Sequence, residues 1–435
     1  MIITIICSIL LLYGLAQYNK GHYAKSLFVL VFFASSAFIV NLGTPLLKYK
    51  DFGLLLLVGC CLIGYKRNSA FFKIGSLFGA KISLAFLLFF VFEFLYAYLG
   101  GVDSIGNILA VIRDYLYALT YFAFRGVPTD ELKKGVVLIF KGVILSCVLF
   151  VSQYFTHIQF VETFISESNL QKDNYRMQIT PPFISLFMLA LLFYVRKARW
   201  RRTIITLLFG VMLISQNRTP LIALFLQIGL FVLLAKNFRY KFQIIIVALL
   251  LFPIVSSLFE ARSANEETSD ITDVPVLSYI SDGDYIGLAR QNTFLFRIAL
   301  TAERFDYLMN HPENTLFGVG AMHEETAQHK FNFIIGTASK DEKGNRTKGQ
   351  LNSIDVVWGP LLIRYGIIGT ISHLSIIFGM ILKFYKRKNN PIMMLGFLTY
   401  VSALAQSFSA GGMFFLIGIM TMMGFLIAYD KRIEL

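Results

Sequence analysis

Apolar stretches recur along almost the whole chain, separated by short basic runs, and they limit what this sequence can fold into. A bilayer core is about 30 Å thick, so a spanning helix needs roughly 20 mainly apolar residues. Stretches of that character lie near 2–18, 26–42, 52–65, 82–99, 105–124, 135–155, 179–195, 203–215, 220–235, 242–258, 359–382, 391–408 and 412–428, thirteen candidate spans in all. Those at 52–65 and 203–215 are short for the task. Composition agrees: 56% of the 435 residues are hydrophobic and only 15% charged, where a soluble domain carries about 25% charged residues. An ordinary soluble globule is excluded, and 43 Phe and 21 Tyr exclude a disordered chain. The expected fold class is an all-α polytopic integral membrane protein.

The net charge of +14 would suggest nucleic acid in a soluble protein. Here the basic residues sit between apolar stretches, which is the pattern of membrane topology. Clusters at Lys20/Lys25, Lys66/Arg67/Lys73/Lys81, Arg125/Lys133/Lys134, Arg196–Arg202, Lys236–Lys241, Lys383–Lys388 and Lys431/Arg432 fall in every second connection. The positive-inside rule puts all of them in the cytoplasm, the N-terminus outside and the C-terminus inside. Lys48 and Lys50 run against the pattern. No charged signal-peptide region precedes the first span, which reads as a retained helix. Cys7, Cys60, Cys61 and Cys147 all lie in apolar stretches and imply neither a disulfide framework nor a metal site.

Three regions result: transmembrane helices 1–10 in residues 1–258, a large outer loop over 259–357, and C-terminal transmembrane helices over 358–435. A loop of that length inside a compact protein usually folds and has a job. Its acidic Ser/Thr-rich start, Ser263–Asp284, reads as irregular, and Arg290–Asn310 reads as one helix. Along that helix Arg290, Arg297 and Arg304 recur every seven residues on one side. Lys340–Gln350 reads as a polar, mobile segment.

Charges inside spans cost roughly 2.5–3.5 kcal/mol each on insertion scales, so each needs a reason. Glu93, Arg113, Asp114 and Lys141 are such residues. They snorkel, pair with adjacent helices, or take part in chemistry. Arg113 and Asp114 point about 100° apart on a helix and need not pair with each other. Two arginines precede helix starts on the outer face: Arg218 before Thr219-Pro220, and Arg176 before Thr180-Pro181-Pro182. Thr as cap and Pro in the first turn mark helix N-termini, whose amides and dipole stabilise an anion. Arginine suits phosphate because its planar fork binds it bidentately. The competing reading is that these arginines only anchor helix ends among lipid headgroups. At the end of the loop, Asp355 precedes Trp358-Gly359-Pro360, another helix start, where it serves either as a general base or as a cap. Arg364 lies about one turn into that helix, and Gly366 and Gly369 suit close helix packing. His311, His323 and His329 match no zinc spacing, although His323 is a second candidate for proton transfer. No Walker loop or Rossmann fingerprint is present.

SQNRTPLIALFLQIGLFVLL resembles the Ser-x-x-Arg helix of the O-antigen polymerase and ligase (Wzy/WaaL-like) superfamily. The stretch from Arg297 through HPENTLFGVGAMHE to RYGIIGTISHLSII is similar to the large periplasmic loop of that family. The likeness covers about 176–182, 215–234 and 290–382. Ligases carry His, then Asn, Ser or Gln, nine residues before the closing Gly-x-x-Gly; Asp355 stands at that position here, which points to the polymerase (Wzy) branch. The resemblance implies a GT-C-like glycosyltransferase in the bacterial inner membrane, with its active site facing the periplasm. It would act on undecaprenyl-pyrophosphate-linked oligosaccharides and need neither cofactor nor metal. Its partners would be the lipid bilayer and a chain-length regulator in the same membrane. Arg176, Arg218, Arg297 and Arg364 would then bind pyrophosphate or substrate, and Asp355 would be catalytic. A ligase transferring glycan to lipid A-core, and a lipid-linked oligosaccharide flippase, are the rival readings.

Overall fold

The computed structural model describes residues 2–35, 48–68, 71–72, 74–158, 160–161, 177, 180–195, 199–215, 218–234, 274–336, 338–340, 346–351, 356–407 and 416–433. Helices α1 (Ile2–Asn19), α2 (Tyr23–Ala34) and α3 (Tyr49–Arg67) pack on one another, and α4 (Phe78–Leu99) follows. Next come α5 (Ile105–Ile112), α6 (Leu119–Arg125) and the long α7 (Thr129–Thr156), which lies along α2. Three shorter helices then pack near one another: α8 (Ile184–Phe193), α9 (Arg201–Ile214) and α10 (Arg218–Leu234).

The described part of the large loop is structured. It contains α11 (Val276–Ser281), α12 (Tyr285–Gln291), α13 (Thr293–Asn310), α14 (Pro312–Thr315) and α15 (Glu324–Lys330). Two short strands, β1 (Ala338–Lys340) and β2 (Arg346–Lys348), pair antiparallel, and β2 falls within the segment expected to be mobile. The chain returns through α16 (Trp358–Lys386), α17 (Pro391–Gln406) and α18 (Leu416–Lys431).

Among the described residues four helices, α1, α4, α7 and α16, are long and apolar enough to cross a membrane. Helices α2, α8, α17 and the stretch Pro220–Leu234 are apolar but shorter. The thirteen expected spans are therefore not reached among the described residues, and the stretch 242–258 lies outside them. Large apolar side chains face outward, with Leu12 65% and Leu99 78% exposed. Such a surface suits lipid rather than water.

The stretch 105–124, expected as one span, is three pieces: α5, a 3-10 segment Arg113–Ala118, and α6. Polar groups explain the break. Arg113 pairs with Asp51 Oδ1 at 2.6 Å and Lys50 Nζ with Asp114 Oδ1 at 2.9 Å, so two sequence neighbours cross-pair with two others on α3. The Ser83 hydroxyl donates to the Ala118 carbonyl (2.7 Å) and the Tyr117 hydroxyl to the Lys50 carbonyl (2.7 Å). Lys50, which ran against the basic alternation, is thus held by a carboxylate. Pairing with an adjacent helix accounts for Arg113 and Asp114 without any catalytic role.

At one end of the bundle Asp430 accepts from Phe78 N (3.2 Å), Gly79 N (2.8 Å) and the Tyr121 hydroxyl (2.6 Å), so α18 caps the start of α4. A carboxylate at a helix N-terminus stabilises the unpaired amides and the dipole there. Beside it Lys431 Nζ donates to Val127 O at 2.8 Å. The large loop sits at the opposite end, where α4 finishes.

Two helix starts differ from expectation. Asn292 takes an extended conformation (φ −168°, ψ 171°) and its side chain accepts from Leu295 N, so Arg290–Asn310 divides into α12 and α13. Asparagine is among the preferred N-caps, and here it ends one helix by starting another. Helix α8 begins at Ile184 with Phe183 as its N-cap in the left-handed region (φ 64°) and no side-chain cap. Thr180, Pro181 and Pro182 therefore precede that helix rather than cap and open it.

Candidate functional site

The loop and α16 are joined through their backbones. Helix α16 is broken at Gly366 (φ 61°, ψ −165°), a conformation essentially confined to glycine. The break leaves the carbonyls of Ile363 and Arg364 without helical partners. Val319 N donates to the first and Gly320 N to the second, both at 2.9 Å, while Ile368 N donates to Leu316 O at 3.1 Å. Leu316–Gly320 thus replaces a missing helical turn. A Cβ on Gly366 would stand 2.5 Å from Gly318 N and Leu316 O, and one on Gly318 (φ 74°) would meet the Arg364 carbonyl. Gly366 therefore admits the loop backbone, not a packed helix as expected.

The end of α4 fixes the same loop. The Tyr96 hydroxyl donates to Gly318 O (3.1 Å), and the Phe317 ring lies 5.6 Å from that of Phe92. Asp103, in the α4–α5 link, accepts from His323 N at 2.9 Å. Burial pushes the Asp103 carboxyl up, but hydrogen bonds from Asn107, His323 N, Thr326 and Ser104 N outweigh it and hold it below the usual carboxylate range. His323 itself caps α15, its Nδ1 accepting from Glu325 N at 3.5 Å. That is a structural task, and the Glu325 carboxylate lies 3.7 Å from the same ring nitrogen.

The arginines of α13 divide. Arg304 is buried (2% exposed) and held by protein: it donates to Leu300 O (3.2 Å), Glu303 Oε2 (2.9 Å) and Gln350 O (3.0 Å), and lies over the Phe333 ring. Glu303 also accepts from Ile334 N and Ile335 N, and Glu324 from Gln350 N and Leu351 N. Burial pulls the Arg304 pKa down to about 10, opposed by Glu303 and Glu324, so it stays charged at neutral pH. This is the knot that folds the loop. Arg297, two turns earlier on the same face, is half-buried, and its Nε is buried with no hydrogen-bond partner among the described residues. That face meets the start of α16: a Cβ on Gly359 would stand 2.7 Å from Leu300 Cδ2 and 3.6 Å from Arg304 Cδ. Arg290 belongs to α12 and leaves the stripe.

Arg364 lies on α16 just before the break. Its NH2 is 3.5 Å from Met322 O, and it is within electrostatic range of Glu324, Tyr115 and Tyr365. Helix α10 starts at Arg218 itself, so Thr219 lies inside its first turn rather than before it as a cap, while Pro220 falls in that turn as expected; the Arg218 side chain lies outside the described residues. Arg176 and Asp355 also lie outside them. The structure thus places Arg297 and Arg364 on the two helices that carry the loop.

A polar cluster beneath them carried no role in the sequence reading. His373 Nδ1 lies 2.8 Å from Gly369 O, which only accepts, so Nδ1 carries the proton and Nε2 accepts from the Tyr115 hydroxyl at 2.9 Å. The Tyr365 ring stacks on His373, and Phe89 meets it edge-on at 4.7 Å. Glu93, 1% exposed, lies within electrostatic range of Tyr96, Tyr115 and Tyr365; its Oε2 has no hydrogen-bond partner among the described residues. Among the described residues it makes no ion pair, and at that burial it does not snorkel. His373 closes the RYGIIGTISH stretch, seven residues after Gly366, a spacing that puts it on the broken side of α16. Among the described residues no group of His, Cys, Asp or Glu is placed to hold a metal.

Fold and site define a class: a helical membrane protein with a folded extramembrane loop latched onto a broken helix. No protein-family model matches the chain, and no curated protein matches it significantly.

Proposed function

We propose that this chain is an O-antigen (surface polysaccharide) polymerase. In this reading it is a GT-C-like membrane glycosyltransferase that joins undecaprenyl-pyrophosphate-linked repeat units at the periplasmic face of the bacterial inner membrane. The donor is already activated by its pyrophosphate, so the protein must do two things. It must stabilise the negative charge that grows on the departing pyrophosphate, and it must take a proton from the attacking sugar hydroxyl. Arginines suit the first task, because fixed cationic donors in a water-poor site act strongly on developing charge. Arg176, Arg218, Arg297 and Arg364 are assigned to it. A carboxylate at the mouth of α16 suits the second, and Asp355 is assigned there.

The observation that carries this reading is Arg297. On one face of one helix, Arg304 makes three hydrogen bonds to protein acceptors, one of them to a carboxylate, whereas Arg297 keeps a buried Nε without an acceptor among the described residues. A buried unpaired donor costs roughly 1–3 kcal/mol, more when charged, and an oxyanion ligand would relieve it. Asp355 at the position of the ligase histidine favours the polymerase over the ligase.

Deletion of the gene followed by a lipopolysaccharide gel tests the reading. Core plus a single repeat unit, with the ladder lost, is expected. Core alone with long lipid-linked polymer accumulating would mean ligase, and core alone without that polymer would mean flippase. Restoring the gene as Arg218→Ala or Asp355→Asn should leave protein abundance normal and the ladder absent.

A further inference from the structure

At the end of the bundle away from the latched loop, α2 and α7 border an open cavity of about 550 Å³. That end is fixed by Lys431 on Val127 O, two residues before α7 begins, beside the Asp430 cap on α4. The cavity is lined by His22, Lys25, Lys133, Lys134 and Lys141, with Glu131 as its carboxylate. Glu131 is already committed: Oε1 is 2.9 Å from Lys134 Nζ, and Oε2 accepts from Ala24 N at 3.3 Å. Lys25, Lys133 and Lys141 form no ion pair among the described residues. Like charges around a shared hollow repel one another and raise the local concentration of an anion.

The remaining wall is apolar, formed by Val137, Leu138 and Ala24. Lys133, Val137 and Lys141 are spaced four apart, so they descend one face of α7. Lys141 lies about 12 Å further along the helix than Lys133, at 1.5 Å per residue. Helix α7 is one of the four able to cross a membrane. A lysine that deep keeps its stem among acyl chains and turns its ammonium toward the headgroup layer. A charged rim over an apolar, half-exposed groove matches a phosphate with fatty chains below it, not a free solute. We infer that this cavity binds an anionic glycerophospholipid, its phosphate among Lys25, Lys133 and Lys141 and its acyl chains along Val137 and Leu138. This site is separate from the proposed active site and does not depend on what that site does.

The test uses the purified full-length protein, with native mass spectrometry counting retained dioleoyl phosphatidylglycerol against dioleoyl phosphatidylcholine. The wild type should retain phosphatidylglycerol preferentially, and millimolar inorganic phosphate should not displace it. Each of Lys25→Gln, Lys133→Gln and Lys141→Gln should weaken retention about 5-fold, the effect of about one lysine at an anionic lipid surface. The triple Lys→Arg variant should retain it, and Lys66→Gln/Lys386→Gln, outside the cavity, should change nothing. Equal retention of the two lipids by the wild type overturns the inference without recourse to any variant. So does an equal loss in the Lys66/Lys386 control, which would mean unspecific attraction. Displacement by inorganic phosphate would mean a soluble anion and overturns the lipid assignment.

Discussion

Gly366→Ala is the substitution whose effect the geometry specifies best. The new methyl would stand 2.5 Å from Gly318 N and Leu316 O, with backbone on both sides and no flexible side chain to yield. If the loop stays docked, the φ 61°, ψ −165° backbone costs alanine about 1–3 kcal/mol, and the overpacking about 1–3 kcal/mol more. If the loop moves away, the bonds Val319 N–Ile363 O, Gly320 N–Arg364 O and Ile368 N–Leu316 O are lost, at about 1 kcal/mol each. Either route comes to about 3 kcal/mol, roughly a 100-fold shift toward the undocked loop. Hydrogen exchange read by mass spectrometry on peptides carrying Val319, Gly320 and Ile368 should show protection falling by that factor. Gly379→Ala, on the same helix with nothing within 4 Å of the added Cβ, should be neutral or stabilise by about 0.5–1 kcal/mol. Unchanged protection in Gly366→Ala would refute the latch.

Four further single substitutions and one double variant separate structural from functional charge. Arg304→Ala should lower stability by about 3–5 kcal/mol, since it strands buried carboxylates, whereas Arg297→Ala should melt with the wild type; a normal thermal midpoint for Arg304→Ala would mean that its network does not hold the loop. Asp103→Asn should destabilise by about 1–2 kcal/mol at pH 7. Because hydrogen bonding holds this carboxyl low in the folded protein, its stabilisation is present above about pH 4 and is lost as pH falls through the native pKa. The difference in melting between variant and wild type should therefore narrow as pH falls below about 4, and a gap that widened in acid would contradict the assignment. Arg113→Ala alone should cost about 3–5 kcal/mol by leaving Asp51 unpaired, while Arg113→Leu with Asp51→Leu should be near neutral; equal costs for the two would show that the pair does not act as a unit.

Helix positions were legible because a membrane demands long apolar runs, and α1, α4, α7 and α16 fall where those runs predict. What escaped was set by polar groups acting across the chain. Nothing local in 105–124 says that Lys50 and Asp51 will meet Asp114 and Arg113, so a three-piece segment read as one span. Asn292 carried a cap signal that the seven-residue arginine spacing obscured. The heptad also hid a difference of role: Arg304 and Arg297 look alike in sequence, and only the positions of Glu303, Glu324 and Gln350 make one a structural knot. The glycines of LFGVG and RYGIIG were visible as a pair of motifs, yet their mutual docking depends on backbone carbonyls that a sequence does not display. Glu93 stood alone among the in-span charges, and its cluster with Tyr115, Tyr365 and His373 exists only in three dimensions.

Purified protein can show whether the chain polymerises glycan with the help of Arg297, whose buried Nε has no acceptor among the described residues. Incubated with undecaprenyl-pyrophosphate-linked repeat units from the source strain and no nucleotide, the wild type should give products rising by one repeat-unit mass, read by mass spectrometry. Arg297→Ala, equally folded, should leave the donor unchanged. A donor unchanged by wild-type protein, or full-length products from Arg297→Ala, would contradict the account.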